Sequence, residues 1–330
     1  MRRLGLLIGI ACFACIAWMG AVLAQSGRPA ERYPQKPVRI LVGLSPGGNP
    51  DLFARMMAHK LGVAFGQQFV VENRPGAGSS IAADAVAKSA PDGHAIFVGD
   101  SGVVTTNPHV YRKLPFDPFR DLAPVTLAVV APMWLVVHPS VPAGSVAELL
   151  ALAKSRTQPL PYASSGNGSI HHLTMEAFKA QTGADFTHVP FKGAGQSVPA
   201  MLAGDVLLGF VGYPAMSQAI KAGRLRVLAF SMGRRSTLTP EVPTVAESGV
   251  PGFDMAAPLG VFVAAGTRRE IVAKLNQAFI AAIRAPDVQE RMATIGMEPV
   301  GTTPEEYEKI LREEYEKNGQ LVRRIGLRID

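Results

Sequence analysis

Cysteine occurs only at positions 12 and 15 of the 330-residue sequence. The rest of the chain therefore has no disulfide framework, no thiolate nucleophile and no cysteine-built metal site. His-Glu-x-x-His and carboxylate–histidine spacings are also missing, which removes the usual zinc patterns. Only 18% of residues are charged, and the basic ones are scattered without a run. That excludes a nucleic-acid-binding arm. After residue 23 no stretch is long and apolar enough to span a bilayer. An apolar content of 48% beside so little charge describes a well-buried globular chain, long enough for two domains.

The N-terminus reads as an export signal. Met1-Arg2-Arg3 is a basic n-region, Leu4 to Leu23 is apolar, and Val22-Leu23-Ala24 places small residues where a signal peptidase cuts. Residues 1–24 are expected to be removed, leaving a periplasmic protein from Gln25 onwards. An uncleaved anchor is the alternative, since the apolar stretch is about long enough to span a bilayer. The formal charge is +7, and loss of Arg2 and Arg3 with the leader leaves about +5. Such a modest positive field favours small anions.

The segment Ser45-Pro46-Gly47-Gly48-Asn49-Pro50-Asp51 organises the first half. The apolar run Val38 to Val42 before it predicts a buried strand. Apolar residues at 52, 53, 56, 57 and 61 after it predict a helix. Glycines in a strand-to-helix turn allow close backbone approach, and a helix start attracts negative charge. Pro50 and Asp51 suit a first helical turn. Read alone this is an ordinary turn; read functionally it is one jaw of a small-anion site.

The pattern recurs. Gln68 to Asn73 predicts a strand ending in Arg74-Pro75-Gly76-Ala77-Gly78-Ser79-Ser80, then a helix from Ile81 to Ala90. Ala95 to Val98 opens into Gly99-Asp100-Ser101-Gly102. Repeated strand–turn–helix units point to α/β layers on a parallel sheet, with ligands beyond the carboxyl ends of the strands. Val125 to Val130 and Met133 to Val137, broken at Pro132, mark a passage into a second domain. Ser145 is expected to cap the next helix, with Glu148 completing a capping box. Leu160 to Ser169 then repeats strand, glycine-serine turn and helix start, with Ser169 as N-cap. Further strands are expected at Phe186 to Pro190, Val206 to Val211 and Leu225 to Phe230. Phe253 to Val263 is a further apolar run. Helices close the chain over Arg269 to Arg284, Asp287 to Ile295 and Pro304 to about Arg323. The alternating charges of the last read as a solvated face.

Catalytic readings are weak. Gly99-Asp100-Ser101-Gly102 is followed by Val103, so the serine-protease pattern is incomplete. Gly166-Asn167-Gly168-Ser169 sets its serine at the wrong place for a nucleophile elbow. Gly76-Ala77-Gly78 lacks the third glycine of a dinucleotide fingerprint. His171 and His172 would point about 100° apart on a helix and cannot share a metal. One of them is available to a ligand, or both are structural. Asp51 and Asp100 are either turn carboxylates or partners for an amine or hydroxyl.

Several strings are specific to a known family: Tyr33-Pro34-x-Lys36-Pro37, Pro46-Gly47-Gly48-x-x-Asp51, Val70-Val71-Glu72-Asn73-Arg74-Pro75-Gly76-Ala77-Gly78, Pro91-Asp92-Gly93, Leu114-Pro115-Phe116-Asp117-Pro118, His188-Val189-Pro190-Phe191-Lys192-Gly193 and Pro243-Thr244-Val245-Ala246-Glu247-x-Gly249. The chain resembles the extracytoplasmic solute-binding proteins of the tripartite tricarboxylate transporter family, the TctC or Bug proteins. The resemblance implies a type II-like, two-lobed α/β periplasmic binding protein, each lobe a mixed sheet flanked by helices, with the ligand cleft between them. It implies residues 25–128 and 251–330 in one discontinuous lobe and 129–250 in the other. It implies capture of a small carboxylate, a di- or tricarboxylate or related organic acid, for integral-membrane transporter subunits, with no catalysis and no cofactor, by a protein expected to be a monomer. Together with the glycine-serine turns, it sets the expected ligand contacts as Ser45, Gly47, Gly48, Asn49, Asp51, Ser101, Ser164, Ser165, Gly166, Ser169 and Gly193.

Two departures from that pattern stand out. The family's Phe-Asp is here Phe210-Val211-Gly212-Tyr213, and Pro258-Leu259 precede Gly260 where a tryptophan is common. The first removes an acid that would meet an ammonium, and the second points to a more apolar pocket. A secreted α/β hydrolase acting on a small acid, or a ligand sensor without a transport partner, are the competing readings.

Overall fold

The computed structural model describes residues 33–329. The expected signal peptide lies outside them. Lys36 onwards forms one compact unit that contains two sheets.

The first sheet begins as the sequence suggests. Strand β1 (Val38–Val42) feeds helix α1 (Asn49–Phe65), and β2 (Phe69–Asn73) leads through a 3-10 turn into α2 (Ser80–Ala87). The second helix is shorter than the apolar pattern suggests, ending at Ala87 rather than Ala90. Strand β3 (Ala95–Asp100) follows, then three one-turn helices: α3 (Gly102–Thr105), α4 (Asn107–Val110) and α5 (Pro118–Asp121). The long strand β4 (Leu122–Pro132) ends one residue before β5 (Trp134–Val137), which belongs to the other sheet.

The second lobe contains α6 (Val146–Ser155), β6 (Leu160–Ser164), α7 (Ile170–Thr182), β7 (Phe186–Pro190), α8 (Ala194–Ala203), β8 (Leu208–Val211), α9 (Tyr213–Lys221) and β9 (Arg226–Phe230). The chain then returns through β10 (Ala256–Ala264), α10 (Arg269–Ile283), α11 (Pro286–Ile295), β11 (Glu298–Pro299) and α12 (Pro304–Ile325).

The strand order is β11-β4-β10-β3-β1-β2 in the six-stranded sheet and β7-β6-β8-β5-β9 in the five-stranded one. Pairs β1–β2, β1–β3, β6–β7 and β6–β8 are parallel. The parallel pairs follow the strand–turn–helix repeats, and the sheets are mixed as the family resemblance implies, because β10 runs antiparallel to β3 and β4, and β5 runs antiparallel to β8 and β9. These are the strands that carry the chain between lobes. Both sheets are thus mixed, and helices flank them.

Local chemistry explains most boundaries. Helix α1 has Pro in its first turn, Asp51 near its positive end and left-handed Gly66 after its last turn. Ser145 caps α6 by accepting from the Glu148 N–H. Glu148, however, reaches past the cap to the Gly144 N–H at 2.6 Å, so the reciprocal box is displaced by one residue. A complete box closes α12 instead, between Thr303 and Glu306. That helix is not only a solvated face: Tyr307, Leu311, Gly319 and Val322 are buried.

The core of the first lobe sits on both faces of β1 and β3, whose apolar residues are fully enclosed. In the second lobe Phe178, Phe210 and Phe253 pack together, with Phe210 and Phe253 stacked at 5.9 Å and Phe178 edge-on to both. At the passages between lobes, Ser231 binds both chain segments. Its N–H donates to the Met133 carbonyl, its Oγ accepts from the Met133 N–H at 3.0 Å, and its carbonyl accepts from the Met255 N–H. Pro132 and Ala256, just beyond, are paired across the first sheet.

Candidate functional site

The lobes meet through backbone and small residues. The Ser45 N–H and Oγ both donate to the Lys192 carbonyl, at 3.1 and 2.9 Å. Tyr111 donates its hydroxyl to the Asn167 carbonyl at 2.7 Å. Glycine is required where these surfaces touch. A Cβ on Gly193 would lie 2.9 Å from the Ser45 nitrogen, and one on Gly212 would lie 2.7 Å from Asn49 Nδ2. Gly193 also has φ +138°, a region that side chains avoid.

Behind these contacts the lobes enclose a cavity of about 30 Å³. Leu44, Gly48, Asn49, Pro50, Asp100, Ala257 and Leu259 wall it from one side, and Ser165, Ile170, His171, Ala194, Gly212 and Ala215 from the other, with Met133 at the passage. So small a space holds only a water or two, so holding a ligand requires the lobes to stand further apart than they do here.

Three helices begin at this cavity: α1 after Gly48, α8 after Gly193 and α9 after Gly212. None of these three N-termini carries a side-chain cap. Uncapped first turns direct N–H groups and the positive end of the helix dipole toward whatever lies in front. The fourth helix start, α7, is different. Ser169 Oγ accepts from the His172 N–H, and the Ile170 N–H is held by Asp100.

Two buried polar atoms at the cavity have no hydrogen-bond partner, Asn49 Oδ1 and His171 Nδ1. Buried groups of this kind cost free energy unless something satisfies them. Burial pushes the His171 imidazole down to about 4, so it is neutral at neutral pH. Burial pushes the Asp100 carboxyl up to about 6, opposed by the Gly102 and Ile170 N–H groups. The Gly102 N–H lies 2.7 Å from Asp100 Oδ1.

The expected contact residues separate into two groups. Gly48, Asn49 and Ser165 line the cavity. Gly166 and Gly193 shape its loops, Gly166 with φ +112°. Ser45 is engaged across the interface. The other positions have their polar groups committed. The Gly47 N–H donates to Asp51 Oδ2 at 3.0 Å, and Asp51 also accepts from Arg55 and Asn73. Burial raises the Asp51 carboxyl pKa, but those donors outweigh it and leave it below the usual carboxylate value. Ser101 lies fully buried outside the cavity, 2.6 Å from the Tyr307 hydroxyl. The Ser169 N–H donates to the Gly166 carbonyl, so that group is not offered to a ligand.

Ser164 is 2.6 Å from His188 Nε2 and also engages Gly166. Behind it His188 stacks on His172 at 3.8 Å and on Tyr162 at 4.9 Å, and His172 Nδ1 accepts from the Gly168 N–H. The adjacent histidines therefore divide: His172 braces the 164–169 turn while His171 faces the cavity. The Ser164–His188 contact belongs to this brace.

Gly212 and Met133 were not anticipated as cavity residues. For Gly212 the signal was present: Gly212-Tyr213-Pro214 repeats the glycine-x-proline helix start of Gly48-Asn49-Pro50.

Two α/β lobes, joined by two adjacent strand passages and closing on a cleft lined by helix N-termini, define a periplasmic binding protein. The profile described as tripartite tricarboxylate transporter family receptor matches residues 53–327, and the chain belongs to that family. It is 34% identical to Protein BugT of Bordetella pertussis over 330 residues, covering 100% of this chain and 99% of the relative. Among solved structures, R. palustris Rpa4515 with adipate is 34% identical with a TM-score of 0.87, covering 90% of this chain and 100% of that one. MatC from Rhodopseudomonas palustris with bound malate is 30% identical with a TM-score of 0.83, covering 88% of this chain and 100% of that one. The family is one of receptors, not of enzymes, and the hydrolase reading is set aside.

Proposed function

We propose that the chain captures a small organic carboxylate in the cavity between its lobes and presents it to the membrane subunits of a tripartite transporter. The observation that carries this reading is the convergence of three uncapped helix starts on one cavity, beside two unsatisfied buried polar atoms. A carboxylate supplies acceptors to N–H groups of both lobes at once, so binding and closure become one event. The adipate and malate held by the two solved relatives are acids of this class.

Within this reading Gly48, Asn49, Ser165 and Gly193 border the carboxylate, joined by His171 and the α9 start at Gly212. Ser45 latches the lobes. Asp51 and Ser164 hold the two jaws in shape from behind. The chain divides near residues 129 and 251, with the passages running through Met133 and Met255. Export by cleavage after Ala24 and action as a monomer complete the proposal. No helix among the described residues is long and apolar enough to cross a membrane.

The test is a thermal-shift screen of refolded protein against mono-, di- and tricarboxylates. At a ligand concentration of 100 times Kd the folded state gains about 2.7 kcal/mol, a clear rise in melting temperature. A flat response to every acid rejects the reading.

A further inference from the structure

The carboxylate reading leaves one cavity residue without a role. Asp100 lies at the end of β3 and faces the same enclosed space as Asn49 and His171. An acid is an unexpected wall for an anion site. Its hydrogen bonds come from the backbone, the Gly102 N–H and the Ile170 N–H, and among the described residues no side-chain cation forms an ion pair with it. Glu314, Lys317 and Arg324 on α12 share an outer cavity of about 430 Å³ with it, and burial together with the charge of Asp100 pushes the Glu314 carboxyl up to about 7, against the opposing pull of Lys317.

Asp100 also takes α7 out of the anion-binding set, because its carboxylate already occupies that helix start. The uncapped starts of α1, α8 and α9 remain for the ligand's carboxylate. The cavity is thus polarised, with N–H donors in one part and a carboxylate in another. Between them the lining is largely hydrocarbon: Leu44, Met133, Ile170, Ala257 and Leu259.

Resting on the carboxylate reading, we infer that Asp100 selects the far end of the ligand, so that the acid held is a monocarboxylate bearing a hydrogen-bond donor, hydroxyl or ammonium, rather than a second ionised carboxylate. A donor there satisfies the acid, and an ammonium neutralises it as well. A second carboxylate meets like charge in a desolvated space. Asp100 thereby supplies from the first lobe the acid that is missing at Val211 in the second.

The experiment compares length-matched probes by titration calorimetry: γ-hydroxybutyrate, γ-aminobutyrate and succinate, then ε-hydroxycaproate, ε-aminocaproate and adipate. Wild-type protein and Asp100→Asn are titrated with each. In wild type, a hydroxy or amino acid binds about tenfold or more tightly than its matched dicarboxylate. In Asp100→Asn, which keeps an oxygen for the Gly102 and Ile170 N–H groups, the preference falls to within about threefold. The hydroxy and amino arms identify which donor is read. A dicarboxylate that binds wild type as tightly as its partners overturns the inference and leaves the carboxylate reading standing. This comparison needs no variant. A preference that survives in folded Asp100→Asn also overturns it. If no acid of any kind binds, the carboxylate reading fails and the inference falls with it.

Discussion

Gly212→Ala isolates the act of closure from the folding of either lobe. Gly212 has φ −70° and ψ 141°, which alanine adopts freely. Within its own lobe the change is neutral or slightly stabilising, by about 0.4–1 kcal/mol, through the unfolded state. Across the cleft the added Cβ lies 2.7 Å from Asn49 Nδ2 and 3.0 Å from Asn49 Cγ and Oδ1. Ordinary contact requires roughly 3.4–4 Å, so the Asn49 amide must move or the lobes must stay apart. Forcing one methyl into a packed contact costs about 1–3 kcal/mol. That cost falls only on the closed form, so Kd for the tightest carboxylate rises by roughly 5- to 150-fold. Calorimetry gives the Kd and a ligand-free melt gives the stability of the open protein. The decisive control is Asn49→Ala, which removes the obstructed amide. In that background Gly212→Ala should change Kd by less than about threefold. An equal penalty in both backgrounds refutes the argument.

Tyr111→Phe removes the hydroxyl bond to the Asn167 carbonyl, and should weaken binding of a carboxylate by about 2- to 12-fold while leaving the ligand-free melt unchanged. Asp51→Asn should destabilise the ligand-free protein by about 1–3 kcal/mol near neutral pH, because the carboxylate holds Gly47, Arg55 and Asn73 together. Its folded pKa lies below the unfolded value, so the contribution is present above about pH 4 and fades as pH falls through the folded value; urea melts of wild type and variant should differ at pH 7 and draw together as the pH is lowered into the acid range. The His172–His188 stack should produce an acid-sensitive turn: burial holds His172 down to about 4, and burial together with the neighbouring His172 holds His188 down to about 3. The unfolded chain takes up protons first, so melting temperature should fall as pH drops below about 6.5, and His188→Gln should flatten that slope.

The elements that were legible in sequence were those governed by local chemistry. Glycine and serine punctuation placed the turns at 45–51 and 164–169, and a serine before an apolar run marked the starts of α6 and α7. The antiparallel strands β4 and β10 were not legible as such, because an apolar run reports burial and not direction. The site was half legible. Gly48, Asn49 and Ser165 are at the cavity, but a sequence does not show which hydroxyl a neighbour will occupy. Ser101 is held by Tyr307, more than two hundred positions away in the chain. Asp100 was legible as either a turn carboxylate or a partner for an amine or hydroxyl, and sequence did not choose between them, since what distinguishes it is burial at the end of β3. Glu314 looked like one more charge on a solvated helix until the packing of Tyr307 and Val322 turned it inward.

The Ser231 clamp sets the mechanics of this molecule. Both crossing strands are fastened to the second lobe at Met133 and Met255, so neither swivels independently. In the proposed closure the axle would be the paired Pro132–Ala256 step just outside the clamp. Met133, which lines the cavity and is bonded to Ser231, would then ride with the second lobe and stay at the axle side of the pocket. A ligand that reaches as far as Met133 presses next to the pivot, where leverage is smallest. One that bridges Asn49 and Gly212 pulls at a longer arm and closes the jaws with less force.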